Sequence, residues 1–188
     1  MNKIIEQEVE RKFLLHAVPQ INYDSIIRIK QAYKSDRPER IRQEEIYPRP
    51  RKPIENFWLA ENPKLLYEHT LKETLEGKEG VQETNQQLNE SKFNDLIPMF
   101  PNIIKKIRHV KSCKINVGMK WEIDDFSLHR TEMVSIIVAE IEVPSLNYDI
   151  QFPEWLKPYI LKEITDDKTY SNFKLAQRNM YSGNIALI

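Results

Sequence analysis

Apolar and polar residues alternate with a period of two through most of the chain, the pattern of strands with one face buried. It predicts strands over residues 4–15, 26–35, 38–47, 65–75, 79–88, 102–115, 117–128 and 132–143. Two stretches change to helical spacing. Asn89-Glu90-Ser91 can cap a helix running to about Met99, with Phe93, Leu96 and Ile97 on one side. Ser171 or Asn172 can cap another, carrying Phe173, Leu175, Ala176 and Met180. The segment from Pro48 to Pro63 holds prolines at 48, 50, 53 and 63 and the basic run Arg49–Lys52, so it should interrupt the sheet. It reads as a surface loop, with a lid over a site as the alternative. Many strands joined by short links predict an antiparallel sheet or barrel with helices packed outside.

The polar alternate positions are nearly all ionisable. One face of the first segment carries Glu6, Glu8, Glu10 and Lys12; the segment near residue 40 carries Arg40, Arg42 and Glu44. Lys72 follows Thr70, Asn85 follows Glu83, Arg108 follows Lys106, Asp124 follows Glu122 and Glu142 follows Glu140, each by two residues. The intervening Val9, Phe13, Ile41, Leu71, Ile107, Trp121, Ile123, Ala139, Ile141 and Val143 are expected to be buried against helices. Val134, Ile136, Ile137 and Val138 make the 132–143 strand apolar on both faces at its start, so Glu140 and Glu142 are not expected on a freely solvated face. Two arrangements fit these facts. One is a twisted sheet whose charged face meets water, with Lys and Glu pairing across strands for a few tenths of a kcal/mol each. The other closes the strands around a polar interior, where each charge costs several kcal/mol unless it is paired or meets a charged ligand.

Composition narrows the function classes. The chain has 188 residues, with 28 Lys plus Arg against 28 Asp plus Glu. A net charge of zero argues against a protein that coats nucleic acid or an anionic membrane through its overall field. The single cysteine, Cys113, excludes an intramolecular disulfide or a cysteine zinc cluster and suits a reducing cytosol. The amino terminus becomes charged too early for a secretory signal, and no apolar run approaches the ~20 residues needed to span a bilayer. A cytoplasmic protein is expected. None of the four glycines lies in a dinucleotide-binding or P-loop arrangement.

Glu8-Val9-Glu10-Arg11-Lys12 is an ExExK motif. It is followed by Arg40-x-Arg42, His69-Thr70-Leu71-Lys72, Glu83, Lys106-Ile107-Arg108, Trp121-Glu122-Ile123-Asp124, Ala139-Glu140-Ile141-Glu142-Val143-Pro144 and Thr165-Asp166-Asp167-Lys168-x-Tyr170-Ser171-Asn172. This succession resembles the CYTH domains, also called triphosphate tunnel metalloenzymes, over about residues 4–176. The resemblance implies one domain across residues 1–188, built as a closed eight-stranded antiparallel β-barrel, a tunnel, with a few helices outside. It implies a linear triphosphate as substrate, free or attached to an organic group, with Mg²⁺ or Mn²⁺. Carried over residue by residue, Lys12, Arg40, Arg42, Lys72, Lys106, Arg108 and Lys168 are the phosphate-binding cations. Glu8, Glu10, Glu122, Asp124, Glu140 and Glu142 are the metal ligands, with Glu83 near the substrate. Glu8, Glu10 and Lys12 are the expected catalytic residues. The chain departs from the family at Asn85, where a second acid often stands, and in the length of the 48–63 insertion.

The residue types suit that chemistry. Arginine forks hold phosphate oxygens in pairs, lysine supplies a compact charge, and residues two apart on a strand point the same way at a spacing of ~7 Å. Mg²⁺ and Mn²⁺ take hard oxygen ligands. The expected reaction is metal-assisted phosphoryl transfer to water, with the cations stabilising the leaving diphosphate. Alternatives are a class IV adenylyl cyclase, a thiamine triphosphatase and a non-catalytic module that binds polyphosphate or nucleotides. No nucleic-acid or membrane partner is expected. His69 and His109 read as strand residues with local hydrogen bonds, and Trp121 and Phe126 as packing.

Overall fold

Strands form where the period-two pattern ran. The computed structural model describes residues 3–48, 63–74, 77, 79–127 and 136–182. It contains β1 (Lys3–Glu8), β2 (Glu10–Leu15), β3 (Ser25–Tyr33), β4 (Arg40–Pro48), β5 (Lys64–Thr74), β6 (Val81–Leu88), α1 (Glu90–Leu96), β7 (Asn102–Ser112), β8 (Lys120–Asp125), β9 (Ile137–Glu142), β10 (Ile160–Glu163) and α2 (Asn172–Ser182). The proline-rich segment lies, apart from Pro48 and Pro63, outside the described residues. Among those residues, no helix is long and apolar enough to cross a membrane.

The strands make one sheet in the order β1-β6-β5-β4-β3-β7-β8-β9-β2-β10. Every pairing in it is antiparallel. The expected closed eight-stranded barrel is not what the hydrogen bonds form. The ladder is open, with β1 and β10 at its ends. The reason lies in the first predicted strand, which breaks at Val9. Its first half pairs with β6 and its second with β9, so no continuous ladder returns to its start. Strand β10, on the far side of β2, was not predicted; its four residues are too short for a periodicity to register.

Packing behind the sheet is divided among three clusters. The largest joins Phe13, Trp121, Ile123, Ala139 and Ile141 to Ile150 and Leu156. Here the expected helical cover is absent: the irregular segment after β9 supplies it, placing Phe152 edge-on to Phe13 at 5.0 Å and tilted on Trp121 at 5.8 Å. Helix α1 begins as expected, the Asn89 side chain accepting from the Lys92 backbone N–H at 2.8 Å. It buries Phe93 against Tyr67 and Ile41. Helix α2 seats Leu175 and Ala176 against Tyr33, Ile104 and Val138. Leu71 is exposed and Ile107 only half-buried, against expectation, because neither α1 nor α2 covers that part of the outer face.

The break at Val9 is held tightly from outside. Gly80, at φ +80°, adopts a conformation unfavourable to side chains, and a Cβ there would overlap the Glu8 carbonyl oxygen and crowd Val9. Gly80→Ala is therefore expected to cost about 2 kcal/mol or more, combining backbone strain with displacement of the Glu8–Val9 turn. Denaturant unfolding checks it; a midpoint unchanged from the parent would show that this contact is not a constraint.

Candidate functional site

The inward alternate positions converge on one cavity of about 580 Å³. Of the residues singled out in the sequence, Glu8, Glu10, Lys12, Arg40, Arg42, Lys72, Glu83, Arg108, Glu122, Glu140, Glu142 and Lys168 all line it. Eight different strands and the approach to α2 bring them there, each by the two-residue repeat of its strand. Lys106 and Asp124 do not line the cavity. They are 1% and 0% exposed, and Asp124 pairs with both Lys106 and Arg108.

Two ion networks divide the lining. In one, the Lys12 ammonium bridges Glu10 at 2.7 Å and Glu140 at 2.8 Å. The cross-strand register sets this up, because Lys12 lies opposite Glu140, and Glu140 opposite Glu122. Arg108 joins the same network through Glu122 and through Glu140 at 3.0 Å, and it forks onto Asp124 with two bonds of 2.7 Å. In the other network Lys72 contacts Glu83 and lies 3.1 Å from Glu8, while Arg40 approaches Glu83 at 3.5 Å. Arg42 holds Glu68 at 2.8 Å and Glu44 at 3.1 Å. Glu142 is exposed, at the cavity's edge, unlike the sheltered position expected for it.

Several lining residues escaped the sequence reading. Glu68 and Lys120 share the parity of Lys72 and Glu122, so extending the two-residue repeat by two steps and by one step would have found them. Gln31 is uncharged and was invisible to a search for ionisable side chains, yet it is 1% exposed and lines the cavity. Its Oε1, the Arg40 Nε and the Asn85 Oδ1 are buried without a hydrogen-bond partner. Buried polar atoms of this kind are costly, and their grouping on one cavity points to a polar occupant.

The networks shift the charges in definite directions. Burial opposes the Lys12 ammonium, but Glu140 and Glu10 outweigh it and hold its pKa well above the ordinary lysine value. Burial likewise opposes the Glu140 carboxylate, and Lys12, Lys106 and Arg108 pull it far below the usual range. Glu8 moves up, first through burial and then through its hydrogen bond with Glu83. Glu142 also moves up, through burial and then the negative charge of Glu8. His69 meets Glu39 at 3.1 Å, the local bond expected of it, whereas the His109 Nδ1 is buried without a partner.

Among the described residues no group of three or more His, Cys, Asp or Glu side chains stands ready as a metal cluster. Acids alternate with cations instead. The donor chemistry nevertheless suits a hard divalent cation, since ten carboxylates line the cavity beside seven Lys or Arg side chains.

No protein-family model matches the chain, and no curated protein matches its sequence. Solved structures do. The inorganic triphosphatase NE1496 aligns at 22% identity over 91% of this chain and 95% of its own, with a TM-score of 0.54. Another structure of NE1496, described as a hypothetical protein, aligns at 23% over 90% and 97%, with a TM-score of 0.52. A third, described as a candidate adenylate cyclase from Bacillus halodurans, aligns at 15% identity over 75% and 82%; its TM-score of 0.45 is too low to inform the fold. Over nine-tenths of its length, this chain has the fold of NE1496.

Proposed function

We propose that the protein is a divalent-metal-dependent triphosphatase of the CYTH, or triphosphate tunnel, type, hydrolysing a linear triphosphate in the cytosol. The observation that carries this reading is the convergence of Lys12, Arg40, Arg42, Lys72, Arg108 and Lys168 on one cavity with unpartnered buried polar atoms among them. The name of NE1496 points the same way. The sheet acts as a tunnel wall, its β1 end joined through Val9 to β2 near the other end even though the ladder itself stays open.

In this reading the cations exchange carboxylate partners for phosphate oxygens. Arg40 and Arg42 present guanidinium groups two residues apart on β4, at a spacing suited to successive phosphoryl groups. Lys12 and Arg108 balance the charge that develops on the leaving diphosphate. Glu8 and Glu10 line the cavity beside Lys72 and Lys12, and in this reading they orient the attacking water and accept its proton. Glu8, Glu10, Glu122, Glu140 and Glu142 would hold Mg²⁺ or Mn²⁺. The bound ions would neutralise the phosphate charge and make in-line attack by water easier.

Tripolyphosphate, ATP and thiamine triphosphate, each offered with Mg²⁺ or Mn²⁺, test the activity. Release of phosphate from at least one is expected; tight binding without any product, or cyclic AMP from ATP, would contradict hydrolysis. With the hydrolysed substrate, Lys12→Ala and Glu140→Ala are each expected to lower kcat about 100-fold or more while circular dichroism shows the fold retained. Near-parental turnover in either folded variant would overturn the assignment.

The charge balance generates a second prediction. Ten acids against seven cations leave the described lining negative at neutral pH, so a bare polyanion is repelled. Calorimetric titration with tripolyphosphate should show affinity at least about tenfold weaker in EDTA than in millimolar Mg²⁺. Equal affinity in the two buffers would contradict joint binding of anion and cation.

A further inference from the structure

Gln31 takes part in neither ion network. It stands at an inward position of β3, is 1% exposed and lines the cavity. The register surrounds it with three cations. Arg42 is its cross-strand partner on β4, with Arg40 two residues away on that strand; Ile104 is its partner on β7, with Lys106 two residues beyond. Long side chains reach one another from such direct and diagonal positions. The Gln31 Oε1 is nevertheless buried and accepts from none of them. Arg42 is turned to Glu68 and Glu44, Arg40 to Glu83, and Lys106 to Asp124. A carboxylate holds a cationic donor more strongly than a neutral amide oxygen does, so Gln31 loses that competition.

The same competition governs what this oxygen can do once the cavity fills. Phosphate oxygens are acceptors, and they draw arginine and lysine for the same reason carboxylates do. A fully ionised polyphosphate brings no donor of its own. Beneath such a ligand the Gln31 oxygen would stay unmatched, at a cost comparable to a lost hydrogen bond. A divalent cation changes this, because Mg²⁺ keeps several of its waters when bound and each presents O–H groups. An organic group bearing N–H or O–H does the same. If the position served only to fill space, an apolar side chain of equal length would be at least as stable, since it leaves no buried acceptor without a donor.

We infer that Gln31 is a ligand-binding residue whose amide oxygen accepts a hydrogen bond from a donor carried by the occupant, either water on the divalent cation or an N–H or O–H of an organic group. This rests on the triphosphate reading of the cavity. What it adds is a neutral contact outside the charged motifs, one that separates an occupant bearing donors from a bare anion.

The test uses Gln31→Met, whose unbranched side chain has similar length and lacks the amide. Thermal melting without ligand should give a midpoint at or above that of the parent, because an unmatched buried acceptor has been removed. Binding is measured by calorimetry with methylene-bridged, hydrolysis-resistant analogues of tripolyphosphate, ATP and thiamine triphosphate in millimolar Mg²⁺. The tripolyphosphate analogue is also titrated in EDTA, and every titration is run above the last ionisation of the free polyphosphate. Gln31→Met should bind at least one of the Mg²⁺ complexes about threefold or more weakly than the parent, while its affinity in EDTA stays within about twofold. Weakening that extends to the tripolyphosphate analogue assigns the donor to water on the cation; weakening confined to the organic analogues assigns it to the organic group. Parental affinity for every ligand would overturn the inference. So would an equal loss in EDTA, which would mean that the amide N–H groups serve phosphate, and so would a lowered melting midpoint or failure to fold, which would make Gln31 a structural residue. A parent protein that binds none of the three analogues would instead defeat the functional reading on which the inference rests.

Discussion

A charged group taken out of water loses several kcal/mol of hydration, and a partner restores only part of it unless the geometry is good. This protein accepts that cost repeatedly around one cavity. Lys12 sits between Glu10 and Glu140, Lys72 beside Glu8 and Glu83, and Arg108 among Glu122, Asp124 and Glu140. A hydrophobic replacement of similar volume would often be at least as stable. Stability alone therefore does not account for such a lining, and the antiparallel register that brings Lys12 opposite Glu140 and Arg108 opposite Asp124 is organised around what the cavity holds.

The same pairing makes the cavity responsive to its contents. Every carboxylate that holds a cation in place is also a competitor of any incoming anion. A polyphosphate must displace carboxylates, and those carboxylates then need positive charge of their own. In the proposed reading divalent cations would supply it, which would couple anion and counter-ion through the side chains between them. Asp124, 0% exposed, pairs with both Lys106 and Arg108 without lining the cavity.

Much of this was legible in the sequence because a strand has a fixed two-residue repeat: once Glu8, Glu10 and Lys12 share a face, the fold decides only which face. The helix caps at Asn89 and Ser171 were legible for a similar reason, since a short side chain bonds to a backbone N–H three residues on. Depth was not legible. Lys106 and Arg108 have the same parity and chemistry, yet Lys106 is fully buried on Asp124 and beside Phe126 while Arg108 lines the cavity. Closure was not legible either. The alternation runs unbroken through Val9, while the hydrogen bonds change partner there. The cover over Phe13 and Trp121 comes from an irregular segment whose apolar residues follow no period.

The central claim is that these opposed charges enclose a short polyphosphate together with its cations. A crystal structure of the protein grown with tripolyphosphate and Mg²⁺ tests it most directly. The account predicts a phosphate chain inside the cavity, with its oxygens within hydrogen-bonding distance of Lys12, Arg40, Arg42 and Arg108 and Mg²⁺ bridging it to Glu8 or Glu10. Polyphosphate bound only on the outer surface, with Lys12 still held between Glu10 and Glu140, would contradict it.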